Sequence, residues 1–322
     1  MKKHFQMYYD GYLYASYGNE IVRRKVTDSA WEKYLRIRDL SVLNYSDLYN
    51  RALRHGVHNF YKISREIDAV VLRKRILFYK DRKFLHKLNN DRGSKPLRNG
   101  VAFYSDKIVY GEYFNNGGYP ATKERAPVNL YMYDFLNDKL SVLYTFKNIK
   151  HIHFVQPSIK NNNILYIGTG DLDSESAIFR FDLRTGNIEK MGGGSQTWRA
   201  VSIIQMDDYL FWGMDSPDEE AYIVKYDLKS GVLEKLEKLP GPVHYSTMNK
   251  RGEMFVATAV EDRTKHTAAI YRSIDGGKNW VEYKRFKKDI FHEVYFGFGK
   301  IEFINNQEQL DELYYNLIGL KE

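Results

Sequence analysis

The chain has 322 residues, no cysteine, 49 Lys and Arg against 41 Asp and Glu, and 43% apolar residues, with 27 Tyr among them. This length and apolar content support a large packed core and exclude a disordered chain, a collagen-like fibre and a disulfide scaffold. The lack of Cys removes thiol nucleophiles, thiolate metal sites and thiol redox switching from the candidate chemistries.

Met1 to Tyr14 reads MKKHFQMYYDGYLY, in which polar and acidic residues interrupt any apolar stretch of signal-peptide length, so a cytoplasmic location is expected. No apolar run approaches the length of a membrane span. The net charge of +8 would suit an anionic partner. Its densest runs, Arg73 to Arg75 and Lys284 to Lys288, are short and embedded in periodic apolar sequence, and read as solvated strand faces. A nucleic-acid partner is therefore not expected.

A repeat of roughly 48 residues organises the chain, the length of one four-stranded propeller blade. One series is Leu130 to Asp134, Ile178 to Asp182, Ile223 to Asp227 and Ile270 to Asp275. Two members run on into Asp182 to Gly186 and Asp227 to Gly231, where Asp and Gly bracket a tight turn, the mark of an outer hairpin. Upstream, segments beginning at His151, Trp198 and His244 read as first strands, followed by turns and by the more apolar second strands Ile164 to Asp171, Tyr209 to Asp215 and Met254 to Glu261. Val101 to Glu112 has the same layout, His4 to Glu20 resembles a first hairpin and His292 to Phe303 a last one. The pattern predicts an all-β fold: a β-propeller of four-stranded blades, seven by unit count with six as the alternative, in one domain over 1–322 whose ends join. Ser46 to Leu53 is expected to form a short capped helix, and Gln307 to Ile318 either a helix or closing strands.

Ser273 to Trp280 (SIDGGKNW) matches the Asp-box S-x-D-x-G-x-x-W, and Ile21 to Trp31 keeps its Ile-to-Trp spacing. On these residues the chain resembles the sialidase-like propellers. The resemblance implies a structural turn on the blade periphery, with Asp275 on turn amides and Trp280 between sheets. Enzymes of that family mostly cleave glycans and other members only bind them. Sialidases use three arginines, a Tyr–Glu pair and an Asp acid/base, with an Arg-Ile-Pro segment that this chain lacks.

Hairpin geometry brings the starts of first strands and the ends of second strands to one face of the ring. The starts supply His151, His153, Arg199, His244 and Tyr245, with His55, His58 and His292 at similar places. The ends supply Glu112, Asp171, Asp215 and Glu261, with Gly168, Gly170 and Gly213 before them as if to keep the channel clear. The loop Gly192 to Arg199 lacks the Lys-Ser/Thr ending of a phosphate cradle.

A planar Arg199 fork would suit a uronic or sialic-type sugar, and Asp171, Asp215 and Glu261 would supply the acid and base of glycoside hydrolysis, with Tyr245 and His151 as further catalytic candidates. Glu112, His153, Gln196, His244 and Trp198 complete the expected substrate contacts. The reading is a carbohydrate-active enzyme taking an acidic oligosaccharide, with no obligatory cofactor. Elimination by His and Tyr, with Arg or a metal such as Mn²⁺ neutralising a uronate, is the second reading. It draws on His151, His153, Gln196, His244 and His292. A binding propeller with Trp198, Trp212, Tyr113 and Tyr119 as stacking surfaces is the third.

Overall fold

Short strands of alternating burial, each turned back on itself by Asp, Asn or Gly, pair with their sequence neighbours along the whole chain. The computed structural model describes residues 3–46, 49–50, 56–90, 92, 96–117, 124–261, 266–289, 298–305 and 307–322. Six four-stranded antiparallel meanders result, over 4–36, 59–89, 101–146, 152–193, 204–239 and 243–288, here called blades one to six. At the seventh position Lys300–Phe303 pairs with Tyr315–Ile318 as a two-stranded sheet, so among the described residues the repeat gives six four-stranded blades and a two-stranded closing sheet.

Closure joins the two ends of the chain. Asn316 brackets Phe5, its Oδ1 accepting from the Phe5 amide and its Nδ2 donating to the Phe5 carbonyl, both at 2.7 Å. Asn305 forms a parallel bridge with Met7, and Leu320–Lys321 adds a short fifth strand to the edge of blade six. Side-chain amides repeat this stitching between inner strands: Gln156 and the backbone of Ile203 exchange bonds of 3.2 and 2.9 Å, and Gln205 does the same with Pro157 and Ile159. Each pairs backbone groups that the strand ladders leave free.

Apolar faces pack blade on blade. Trp212, fully buried in blade five, shares a cluster with Phe154 of blade four and Met254 of blade six, and Phe78 stacks on Phe135 across blades two and three. Burial of each such side chain contributes about 1.5–3 kcal/mol. The inner strands enclose a cavity of about 430 Å³ that reaches from Met7 and Tyr61 to Ile203, Tyr245 and Phe303.

The four Asp-terminated segments lie on third strands, and their carboxylates accept turn amides, as from Leu136 and Asn137 to Asp134 and from Lys229 to Asp227. In the Ser273–Trp280 turn Asp275 accepts from the amides of Lys278 and Asn279, which holds its carboxyl down at about 2, while Trp280 is buried against blade five. One local expectation changes and two are met in part. Trp198 does not start a strand: Gln196–Trp198 is a 3₁₀ turn with the indole packed over Gly192, and the strand begins at Ile204. Gln307–Gln309 is a single 3₁₀ turn before the closing strand. Of the expected helix after Ser46, Tyr49 and Asn50 are helical, with the Tyr49 amide donating to Ser46 Oγ, and most of the remainder falls outside the described residues.

The second-strand glycines serve packing between strands, not channel clearance. A Cβ on Gly111 would collide with Ile152 of the next blade, one on Gly213 with Val243 of the next blade, and one on Gly168 with Phe154 of the neighbouring strand. Gly111→Ala should therefore destabilise the fold by about 1–3 kcal/mol in urea unfolding, and Ile152→Ala in the same chain should recover part of that loss by vacating the space. Strictly additive losses in the double variant would contradict this account.

Candidate functional site

Local backbone irregularities aim the polar side chains. In blade four, Ile152 pairs with Thr169 and Phe154 with Gly168, leaving His153 as the extra residue of a β-bulge. His244 is the extra residue at the same place in blade six, and Gln6 in blade one. A bulge breaks the alternation of the strand and re-aims the side chain it carries. At the end of the adjoining strand Gly170 takes φ +112°, a conformation that favours glycine, and a Cβ there would strike the backbone of Ser176. The chain thereby turns back and Asp171 faces the two histidines.

The resulting cluster is tight and buried. His151 Nε2 lies 2.9 Å from His153 Nε2, and these atoms lie 3.4 and 3.2 Å from Asp171 Oδ1. Lys150 Nζ approaches the other oxygen, Oδ2, to 2.5 Å. Arg199 links this group to blade five, with Nη2 3.3 Å from Asp171 Oδ1 and Nε 3.1 Å from Asp215 Oδ2. Gln196 braces the same loop, donating from Nε2 to the Asp171 carbonyl at 3.0 Å and to Asp173 at 2.9 Å. On the far side of Asp215, His244 Nε2 stands 3.4 Å from Asp215 Oδ1 and 2.7 Å from Glu261 Oε1. Tyr113 of blade three stacks on His151 with ring centroids 4.0 Å apart.

Burial and partners set the charges. Burial pushes His151 down to about 4, so its ring is neutral at physiological pH. For His244 burial acts in the same direction but is outweighed by hydrogen bonds to Asp215 and Glu261, which raise it to about 9 and make it an imidazolium. Burial would raise both aspartates, yet the neighbouring His151 and His153 hold Asp171 far below the usual carboxylate range, and the Arg199 charge with His244 lowers Asp215. Both are carboxylates. Burial and the negative charges of Asp171 and Asp215 push the Tyr113 phenol up.

Of the residues expected to share a site, His151, His153, Asp171, Gln196, Arg199, Asp215, His244 and Glu261 converge. Three do not. Glu112 turns into its own blade, accepting from the Asn129 amide at 2.7 Å with Arg92 3.5 Å away, and burial raises its carboxyl. Trp198 packs on Trp212 and Tyr226, so its ring belongs to the core, and Trp212 is itself fully buried. Tyr245 points to the closing sheet and donates to Glu302 Oε1 at 3.1 Å instead of pairing with Glu261. Arg199 is a bridge between two aspartates and not an open fork. His55, His292 and Tyr119 lie outside the described residues.

Sequence reasoning passed over Lys150 and a second buried ionic centre, in which Glu302 meets Lys300 at 2.6 Å, His4 at 3.6 Å and Arg98 at 3.7 Å. The alternation of Lys300 and Glu302 around Ile301, on an otherwise apolar strand, was the available signal.

No family model matches the sequence, and no curated protein matches it. Solved structures match the fold. An extracellular domain of a hybrid two-component system from B. thetaiotaomicron aligns over 95% of this chain and 34% of its own, with TM-score 0.57 and 12% identity. A GH74 enzyme from Niastella koreensis aligns over 87% of this chain and 44% of its own, with TM-score 0.58 and 13% identity. A chain of a mitotic checkpoint complex aligns over 89% and 80%, with TM-score 0.57 and 8% identity. The chain thus spans about a third of the length of the first of these and under half of the second. At such identities the likeness is one of β-propeller architecture, found in proteins of unrelated roles.

The His244 proton is coupled to stability. Its value rises from an ordinary 6.5 to about 9 on folding, so the stabilisation is complete below pH 6.5 and is lost as pH climbs through 9. The thermal midpoint of the wild type should therefore fall over that interval by more than that of His244→Gln, measured by circular dichroism in matched buffers. Parallel curves for the two proteins would show that the proton is not held.

Proposed function

We propose that the protein is a carbohydrate-active enzyme that cleaves a uronate-containing oligosaccharide at this cluster by β-elimination, acting in the cytoplasm. The observation that carries the reading is the 2.7 Å separation of His244 and Glu261. Hydrolysis needs its two groups on opposite sides of the scissile bond, about 5–9.5 Å apart. An adjacent carboxylate and imidazolium reach only one face of a sugar ring, which suits a syn elimination. Glu261, with a third of its side chain exposed, takes the proton beside the uronate carboxyl. The electron pair becomes the new C=C bond, the C–O bond to the leaving sugar breaks, and His244 gives its proton to the departing oxygen.

The other carboxylates argue the same way. Asp171 and Asp215 are both ionised and share Arg199, so neither carries the proton that a hydrolytic acid must donate. The Ser273–Trp280 turn supports placing the chain with the sialidase-like propellers, although Tyr245 is directed to Glu302 and cannot form their Tyr–Glu pair with Glu261.

Incubation with polyuronate oligosaccharides should generate ultraviolet absorbance from unsaturated ends, and Glu261→Gln or His244→Gln should lower the rate by at least about 100-fold with unchanged circular dichroism. New reducing ends without absorbance, including from sialylated oligosaccharides, would replace elimination by hydrolysis. Absence of both signals across uronate and sialic substrates would overturn cleavage altogether.

A further inference from the structure

The two three-residue clusters on either side of Arg199 differ in one chemical respect. In the Asp215–His244–Glu261 group a protonated ring lies between two carboxylates and bonds Glu261 Oε1 at 2.7 Å, so opposite charges match. In the His151–His153–Asp171 group they do not. His151 Nδ1 faces the Phe114 carbonyl at 3.3 Å and His153 Nδ1 faces the Ala200 carbonyl at 3.1 Å. A carbonyl oxygen only accepts, so each Nδ1 carries the hydrogen, and in that tautomer each Nε2 presents a lone pair. Two lone pairs and the Asp171 Oδ1 oxygen therefore converge within 2.9–3.4 Å.

The geometry points to a divalent first-row transition-metal site formed by His151 Nε2, His153 Nε2 and Asp171 Oδ1. Imidazole and carboxylate donors bind such ions at about 2.0–2.2 Å. Donors at that radius lie about 3.0 Å apart at right angles and about 3.4 Å apart in a tetrahedron, the range spanned here. The Nδ1–H···O=C bonds are the outer contacts that fix tautomer and ring orientation in metal-binding histidines. Lys150 on Oδ2 and Arg199 on Oδ1 hold the carboxylate in place. Three ligands on one side leave the remaining positions for water or an anionic ligand. The proposal stands apart from the elimination reading, because it concerns binding alone.

The test uses tag-free full-length protein treated with chelator and dialysed, then titrated separately with Mn²⁺, Co²⁺ and Zn²⁺. Calorimetry should give one strong site per chain for at least one of these ions, with a rise in thermal midpoint that grows with metal concentration. His153→Ala should weaken that site by more than about 100-fold, beyond the loss of an outer contact, whereas His244→Ala should retain it. Nitrogen-15 NMR of the wild type provides a readout free of folding losses: His151 and His153 should both show Nδ1–H tautomers without metal and shifted Nε2 signals with it. Failure of all three ions to bind, a doubly protonated ring in the cluster, or loss of the site in His244→Ala with retention in His153→Ala would overturn the assignment.

Discussion

A single guanidinium, Arg199, joins the carboxylates of two neighbouring blades, and the arrangement of the polar cluster depends on it. Asp171 and Asp215 are both nearly inaccessible to water. A buried charge is tolerated only with a compensating partner, and loss of one member of such a pair costs about 3–5 kcal/mol because the other stays buried. Arg199 meets this demand for both at once, while Lys150 and His244 take the oxygens it does not reach well. The cost of desolvation thus fixes positions: no rearrangement of either aspartate is cheap while the ring stays closed.

Ring closure supplies the second half of the constraint. The charged groups come from separate blades, so their distances are only as fixed as the angles between sheets. Those angles are set by amide clasps from Gln156, Gln205 and Asn316 and by glycines that let one blade's inner strand seat against another's. The two-stranded closing sheet adds Glu302 with Lys300, and this pair ties the C-terminal sheet to Arg98, Tyr245 and His4. Among the described residues, a two-stranded sheet with a buried ion pair completes the circle. Hydrophobic burial favours compactness in general, whereas these polar contacts select one registration of blades.

Much of this was readable from the chain because blade turns are local chemistry. Asp followed four residues later by Gly, or Ser-x-Asp-Gly-Gly before Trp, specifies a turn wherever it occurs, and the third strands fell where that pattern placed them. Acids at second-strand ends and the His-x-His spacing were legible for the same reason. Bulges at His153 and His244 were not, since an extra residue in a strand leaves no mark on the alternation seen from one sequence. Partner choice was equally hidden: Tyr245 and Glu261 begin and end the same hairpin, yet one faces the closing sheet and the other the mouth. Trp198 was misplaced because an aromatic beside Arg199 reads the same whether it faces solvent or, as here, the core.

The strand bulges also explain why two chemically different clusters can lie side by side. A regular strand already sets residues two apart on one face, so the His-x-His spacing places His151 and His153 on the same side, and the bulge then adjusts the aim of His153. With the extra residue in place both rings turn their Nε2 atoms to one carboxylate oxygen, and each gives its Nδ1 hydrogen to backbone. His244 stands on an equivalent bulge but meets two carboxylates, so the same backbone device yields a retained proton in blade six and a set of lone pairs in blade four. The identity of the neighbours, not the local fold, decides which cation each position calls for.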